Sequence, residues 1–451
     1  MDNLEAEYYK QDTIAFAKLL RKHSFVLLLI ITSYLATFGL NVYLARLLKP
    51  KEYGDISVIF QLLVFFAPFA LLGTEISLLR FIPKYLRKKE YGKISGFLRW
   101  NAKIFLYMSL GILLCGVAIN IISYYLDKHN IHSLDQYHLI FFSYWLIPLY
   151  ALLVLTANFL QSIRSYYLSA TFNGFLVSFF IIAAILLFLP YFENTWIGSY
   201  QRKYSIVLCI GISYLIICIA ELFTLLKKLP KEVFQADPSY EKRKWFRSST
   251  HMMLSTVIFA GLSAVDIVML DILAKNEAIV GQFAAIFTIS SSLMVFSTAV
   301  DMIVNPIISP SIAHEDTKHL QITLHLMNVF KSIPIFFLFI LLLIFGKDLL
   351  EHFGKGFAEG YPSLIIMVLG FVWGICFNSS GPLLLYSHHE RLNFFISFGQ
   401  LLFIILMDIP MIRLLGLMGA VIVLSLSIVL SSILRTYFCH RFLGIKVFFY
   451  Y

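Results

Sequence analysis

Glu75, Arg80, Lys84 and Arg87 share one short stretch, Leu72-Gly73-Thr74-Glu75-Ile76-Ser77-Leu78-Leu79-Arg80-Phe81-Ile82-Pro83-Lys84-Tyr85-Leu86-Arg87-Lys88-Lys89. It closes a long apolar run, sets a carboxylate inside that run, and leaves it through a dense basic patch. Lys and Arg present N–H donors suited to phosphate oxygens. A carboxylate inside an apolar span is costly, and such residues mark ion or proton pathways. The candidate anion ligands are Arg80, Lys84 and Arg87, with Arg46, Asn41 and Lys331 elsewhere in the chain. The candidate ion-coupling carboxylates are Asp266, Glu75 and Asp301.

The elements that carry these residues are apolar throughout. Of the 451 residues, 59% are hydrophobic and only 14% charged, and mean hydropathy is +0.80. Soluble domains carry about a quarter charged residues, so the composition is that of a membrane protein. The 43 Phe and 25 Tyr suit a lipid-facing surface with tyrosines near its interfaces. The first twenty-three residues are polar and charged, unlike a cleavable signal peptide. The first apolar run is therefore expected to act as its own insertion signal. Cys115, Cys209, Cys218, Cys376 and Cys439 all fall in or beside apolar runs with no CxxC pair, which predicts inert buried thiols.

Runs of about 20 apolar residues can cross a bilayer as helices, the form that satisfies every backbone polar group in lipid. About twelve such runs occur, near 24–45, 55–79, 101–125, 138–160, 166–189, 204–226, 249–273, 283–305, 322–346, 362–385, 393–413 and 417–438. With the N-terminus inside, the inner segments carry more than twice as many Lys and Arg as the outer loops. That bias places both termini in the cytoplasm. It also accounts for the formal charge of +10 without nucleic acid.

The longest polar connection, residues 227–249, divides the chain almost in half. It predicts an N-terminal lobe over 1–235 and a C-terminal lobe over 236–451. Each half opens with a short outer loop holding Lys, Glu and a Gly that starts the next helix: Lys51-Glu52-Tyr53-Gly54 and Lys275-Asn276-Glu277 leading to Gly281. Six spans per half give both the same orientation, a parallel repeat. Glu75 lies 21 residues after Gly54, and Asp301 lies 20 after Gly281. The matching positions predict that both carboxylates face a shared cavity. The expected fold is all-α, about twelve transmembrane helices in two parallel six-helix lobes around a central cavity.

A charge at the centre of a span costs about 2.5–3.5 kcal/mol, so each one needs a reason. Asp266 is not terminal, and Ser263 is one turn away on the same helical face. Glu221 and Lys103, near span ends, read as snorkelling residues; Asp271 and Asp408, near outer ends, read as incidental. Pro68, Pro148, Pro334, Pro382 and Pro410 are expected to kink their helices. His388-His389-Glu390 lacks zinc-helix spacing, and His129, His132 and His138 read as solvated loop histidines. No GxxxxGK[ST] loop and no GxSxG occurs. The short outer loops and missing catalytic signatures favour transport over a glycan polymerase or glycosyltransferase.

Tyr43-Leu44-Ala45-Arg46-Leu47-Leu48-Lys49-Pro50-Lys51-Glu52-Tyr53-Gly54 resembles the "ARLLxPxEYG" signature of the polysaccharide-transporter (Wzx-type flippase) branch of the multidrug/oligosaccharidyl-lipid/polysaccharide exporter superfamily. Gly73 to Tyr85 is similar to that branch's "GxxxxLxRFIxxY". Asn158–Tyr167 and Leu384–Arg391 fall where the family places inner turns. The resemblance implies a non-enzymatic flippase for undecaprenyl-diphosphate-linked oligosaccharide, as in O-antigen biosynthesis, in the bacterial cytoplasmic (inner) membrane. It implies no cofactor beyond a coupling proton or Na+. Its partners would be the lipid-linked glycan, membrane lipid and a polysaccharide polymerase or chain-length regulator, with the chain working as a monomer. A cation-coupled drug exporter of the same superfamily is the nearest alternative.

Overall fold

The computed structural model describes residues 24–129, 137–193, 202–274, 276, 278–313, 317–377, 380–387 and 389–444. The expectations resting on the N-terminal basic residues, His132, Lys275, Glu277 and His388 lie outside them.

The apolar runs are helices. They are α1 (Ser24–Leu47), α2 (Pro50–Leu71), α3 (Thr74–Arg87), α4 (Tyr91–Lys128), α5 (His138–Ser143), α6 (Leu146–Ser162), α7 (Tyr166–Ala170), α8 (Val177–Glu193), α9 (Arg202–Lys228), α10 (Lys231–Gln235) and α11 (Lys242–Leu273). The chain continues through α12 (Ala278–Ala313), α13 (Thr317–Phe353), α14 (Tyr361–Phe377), α15 (Ser380–Tyr386), α16 (Glu390–Leu415) and α17 (Leu417–Leu443). Among the described residues, 11 helical segments are long and apolar enough to cross a membrane, and α6 is a shorter apolar helix.

Two irregularities fall away from the prolines. Pro68, Pro334 and Pro410 lie inside continuous helices. Pro148 sits in the first turn of α6, where its missing N–H costs nothing. The expected span 55–79 is instead cut at Leu72 and Gly73, with φ of 49° and 72°. Glycine adopts such a φ without strain. A side chain is excluded there as well, since a Cβ on Gly73 would sit 2.2 Å from the Ser249 carbonyl oxygen. A second irregularity, the π-helical turn Thr171–Leu176, separates α7 from α8.

Packing divides the chain into two compact units, and they do not follow the expected 1–235 and 236–451 lobes. One is Glu52–Ala264; the other joins the chain up to Lys51 with everything from Val265 onward. The first span therefore belongs with the C-terminal half. In that unit α1 lies against α12 and α13. Tyr34 donates to the Thr288 carbonyl at 2.5 Å, and Phe38 meets Phe353 edge-on at 5.8 Å. Helix α17 packs between α14 and α16.

In the Glu52–Ala264 unit, α9 packs on α6 and α8, and α3 packs on α6. The polar connection after α9, expected as a linker, is part of this unit's core. Trp245 is fully buried among Phe97, Trp100 and Tyr85. Its Nε1–H donates to the Tyr85 hydroxyl at 2.9 Å, and that hydroxyl donates to Glu241 Oε2 at 3.1 Å. The Ser239 amide donates to the Gly92 carbonyl at 2.9 Å. Gly96 permits the contact, because a Cβ there would stand 2.1 Å from the Ser239 oxygen.

Candidate functional site

Helix α3 carries the basic patch, and its two faces do different work. Leu78, Phe81, Ile82 and Tyr85 are buried in the core around Trp245. Arg80, Lys84 and Arg87 are exposed. Their spacing of four and three residues puts them on one stripe of the helix. None of the three forms an ion pair with a described residue; Arg80 only approaches the Phe81 ring, at 5.9 Å. Nearby cations are committed elsewhere. Lys93 reaches Glu241 Oε1 at 2.9 Å and Lys244 reaches Oε2 at 2.6 Å. These two bonds, Lys244's foremost, hold the Glu241 carboxyl at about 2, below the ordinary 4.5. The structure thus separates free cations from structural ones, which charge counting does not.

Glu75 lies in the first turn of α3, just past the Leu72–Gly73 break. It is 2% exposed, and neither carboxylate oxygen has a hydrogen-bond partner among the described residues. The polar groups around the break are occupied with each other. Thr74 bonds the Leu71 carbonyl and Asn101 Oδ1, and Ser249 donates to the Ser77 hydroxyl.

Asp301 does not repeat this arrangement. Inside α12 it is ion-paired with Lys331 of α13 and accepts from Ser297 at 3.3 Å. Lys331 is 2% exposed. Lys331, expected as an anion ligand, is held by Asp301, and Asp301, expected as a coupling carboxylate like Glu75, has a cation beside it. The reason is that i-to-j pairing across helices, 30 residues apart, leaves no mark in local spacing.

Arg46 and Asn41, the other expected ligands, also have bonds within the protein. The Arg46 Nε–H donates to the His352 carbonyl at 2.6 Å, satisfying an end carbonyl of α13. Asn41 turns back on its own helix and donates to the Thr37 carbonyl at 2.9 Å.

Asp266 is buried in α11 with Oδ1 unpartnered. The neighbour expected for it, Ser263, is exposed and bonded to the Phe259 carbonyl. Its charged neighbour is instead Asp408 of α16. Asp408 is fully buried, and both its oxygens lack partners. Two carboxylates within electrostatic reach repel each other unless a proton or cation is shared. Sequence position made Asp408 look incidental; the fold brings it within electrostatic reach of Asp266.

Glu221 is a further group that sequence position misjudged. It is fully buried, not snorkelling, and accepts from Thr156 and, at 2.6 Å, from Asn173 in the π-helical turn. π-helical turns recur at functional sites. Cys115 also departs from expectation, being exposed in a groove of about 570 Å³ beside Met108 and Tyr144, whereas Cys209, Cys218 and Cys439 are buried. No cluster of three metal-ligating side chains occurs among the described residues.

The fold defines a class: a multi-pass helical membrane protein. The chain is similar to a multidrug resistance MATE family transporter of the MOP superfamily, with TM-score 0.70 at 12% identity over 91% of this chain and 94% of that one. A Vibrio cholerae MATE transporter gives 0.64 at 13%, over 98% and 100%. A MOP superfamily transporter from Pyrococcus furiosus, whose binding pocket has reversed polarity, gives 0.64 at 12%, over 93% and 94%. No curated protein matches the sequence. A family described as polysaccharide biosynthesis protein matches residues 19–309, and the chain belongs to that family.

Proposed function

We propose that the protein is a flippase carrying undecaprenyl-diphosphate-linked oligosaccharide from the cytoplasmic to the outer leaflet of the inner membrane. The observation that carries this reading is the stripe of Arg80, Lys84 and Arg87, three cations without a carboxylate partner among the described residues, on a helix whose opposite face is buried. A diphosphate offers oxygens in geometry that Arg and Lys bind well. The polysaccharide biosynthesis family supplies the glycan context. In this mechanism the stripe gathers the diphosphate, the prenyl chain stays in the bilayer, and alternating access exposes the glycan outside. The sequence has no GxxxxGK[ST] phosphate loop, and in this reading an ion gradient drives the return. The Asp266–Asp408 pair is the coupling site, taking up a proton or Na+ that relieves its repulsion.

The test is flipping of labelled lipid-linked oligosaccharide in proteoliposomes, with sidedness determined. Replacing Arg80 and Lys84 together by Ala should slow flipping at least about tenfold, as expected for losing two charge-assisted contacts. Wild-type flipping by that variant removes the headgroup assignment. Asp266→Asn should abolish dependence on the driving gradient, and an unchanged dependence removes the coupling assignment.

Buried unpartnered carboxylates also suit a cationic drug, the reading nearest to the MATE neighbours. Saturable uptake of a lipophilic cation, with no flipping of glycolipid, would decide for it.

A further inference from the structure

Glu221 is a buried acid that the transport scheme does not use. It lies in α9, fully buried, two turns before the helix ends at Lys228. Its partners come from two other elements. Thr156 of α6 meets Oε2, and Asn173 of the π-helical turn donates to Oε1 at 2.6 Å. Asn173 Nδ2 also donates to the Ser169 carbonyl at 3.3 Å. Both amide protons thus have acceptors, which fixes the way the Asn173 amide points.

Neither partner carries charge, and no described residue forms an ion pair with Glu221. Helix α6 and the π-helical turn hold no Asp, Glu, Lys, Arg or His. On α8 the one such residue is Glu193, at the far end of that helix. On α5 it is His138, at the helix start. The lysines of α9 are engaged elsewhere. Lys203 pairs with Asp55 at 3.2 Å, Lys227 lies over the Phe223 ring at 4.1 Å, and Lys228 donates to Ser165 at 3.1 Å. Arg80, Lys84 and Arg87 of α3, which packs on α6, are exposed. The other titratable neighbours are neutral groups. Cys218, one turn before Glu221, donates to the Leu149 carbonyl at 3.6 Å, and the rings of Tyr150 and Tyr214 stand 5.9 Å apart.

A carboxylate buried without a cation costs far more than the neutral acid. The contacts accommodate the acid with every proton used once. A proton on Oε2 is donated to Thr156 Oγ1, and the Thr156 proton turns to the Leu152 carbonyl at 2.9 Å. Oε1 remains the acceptor for Asn173. A metal cation suits the site poorly. Hard cations gather about six oxygens around themselves, whereas here hydroxyl and carboxyl touch directly and Asn173 presents an N–H.

We propose that Glu221 is a proton-binding site built by α6, α9 and the π-helical turn, and that its proton steadies that turn. The site belongs to the Glu52–Ala264 unit, whereas Asp266 and Asp408 belong to the other. It does not rest on the flippase reading. Phe172 of the same turn packs on the core that contains Phe159, Leu225 and the buried face of α3. Loss of the proton leaves a buried anion with two neutral donors, and loosens the turn that touches this core.

Infrared difference spectroscopy of the full chain in lipid bilayers, taken against pH, tests the proposal. Wild type should show a protonated-carboxyl C=O band that Glu221→Gln removes and that Glu75→Gln, Asp266→Asn and Asp408→Asn keep. Gln can make both bonds, its N–H toward Thr156 and its carbonyl toward Asn173, so this variant should fold. Asn173→Ala takes a hydrogen bond from the carboxyl C=O and should move the band to higher wavenumber. Thr156→Val removes the acceptor of the O–H and should move it as well. Exchanging Na+ for choline at fixed pH should leave the band unchanged. Amide exchange across residues 169–177 should become several-fold faster than in Glu221→Gln once the band is lost at high pH. Identical spectra for wild type and Glu221→Gln overturn the proton site, as does a band that neither Asn173→Ala nor Thr156→Val moves. A band lost on adding Na+ at constant pH makes the ligand a metal cation and overturns the proposal. Equal exchange in wild type and Glu221→Gln at every pH overturns the link to the turn.

Discussion

Glu75 and Asp301 hold corresponding places in the two halves of the chain, and their surroundings are opposite. Asp301 has a cation, Lys331, and a hydroxyl, Ser297. Glu75 has neither, and sits beside a helix break that Asp301's uninterrupted helix lacks. The two carboxylates are thus used differently: Asp301 as half of a buried ion pair, Glu75 as a group with its binding capacity unspent. The same division separates Glu241, clasped by Lys93 and Lys244, from Asp266 and Asp408. Partnered carboxylates hold the structure together; unpartnered ones are available to an ion.

The largest test of this contrast is Lys331→Met. It strands the Asp301 carboxylate in the interior and should lower stability by about 3–5 kcal/mol, seen by thermal unfolding in detergent. Adding Asp301→Leu should recover most of the loss, since an apolar pair of similar volume replaces a buried ion pair at little cost. If the double variant is no better than the single one, the pair is not the unit described here.

Glu75→Gln is the complementary experiment. With no partner to lose, the neutral amide should change stability by about 1 kcal/mol or less. Transport, not stability, should carry the effect. A loss of stability as large as that of Lys331→Met would erase the distinction between the two halves.

The smallest effect concerns Glu241. Its folded value of about 2 lies below the ordinary 4.5, so its stabilising contribution is present above pH 4.5 and is lost as pH falls toward 2. Amide exchange in residues 229–245 should accelerate across that window, modestly because the pair is partly solvated. Glu241→Gln should remove the pH dependence while leaving Trp245 buried.

Much of this was legible in the sequence. Apolar runs long enough to span a bilayer have one stable backbone solution, so their helical form and approximate limits follow from composition. The stripe of Arg80, Lys84 and Arg87 was legible too, because local spacing fixes which residues share a helical face. The break at Leu72–Gly73 was not, since proline is the usual signal and here the turn is set by the close approach of Ser249 and Met253.

Composition and periodicity determined the class of protein, its helices and the residues able to carry charge. Tertiary structure alone decided which charges are spent. Lys331 finds Asp301, Arg46 finds a helix end, Asp266 finds Asp408, and Glu221 finds Thr156 and Asn173. Those pairings join residues far apart in the chain, and their energies depend on burial and distance, which one-dimensional spacing does not contain.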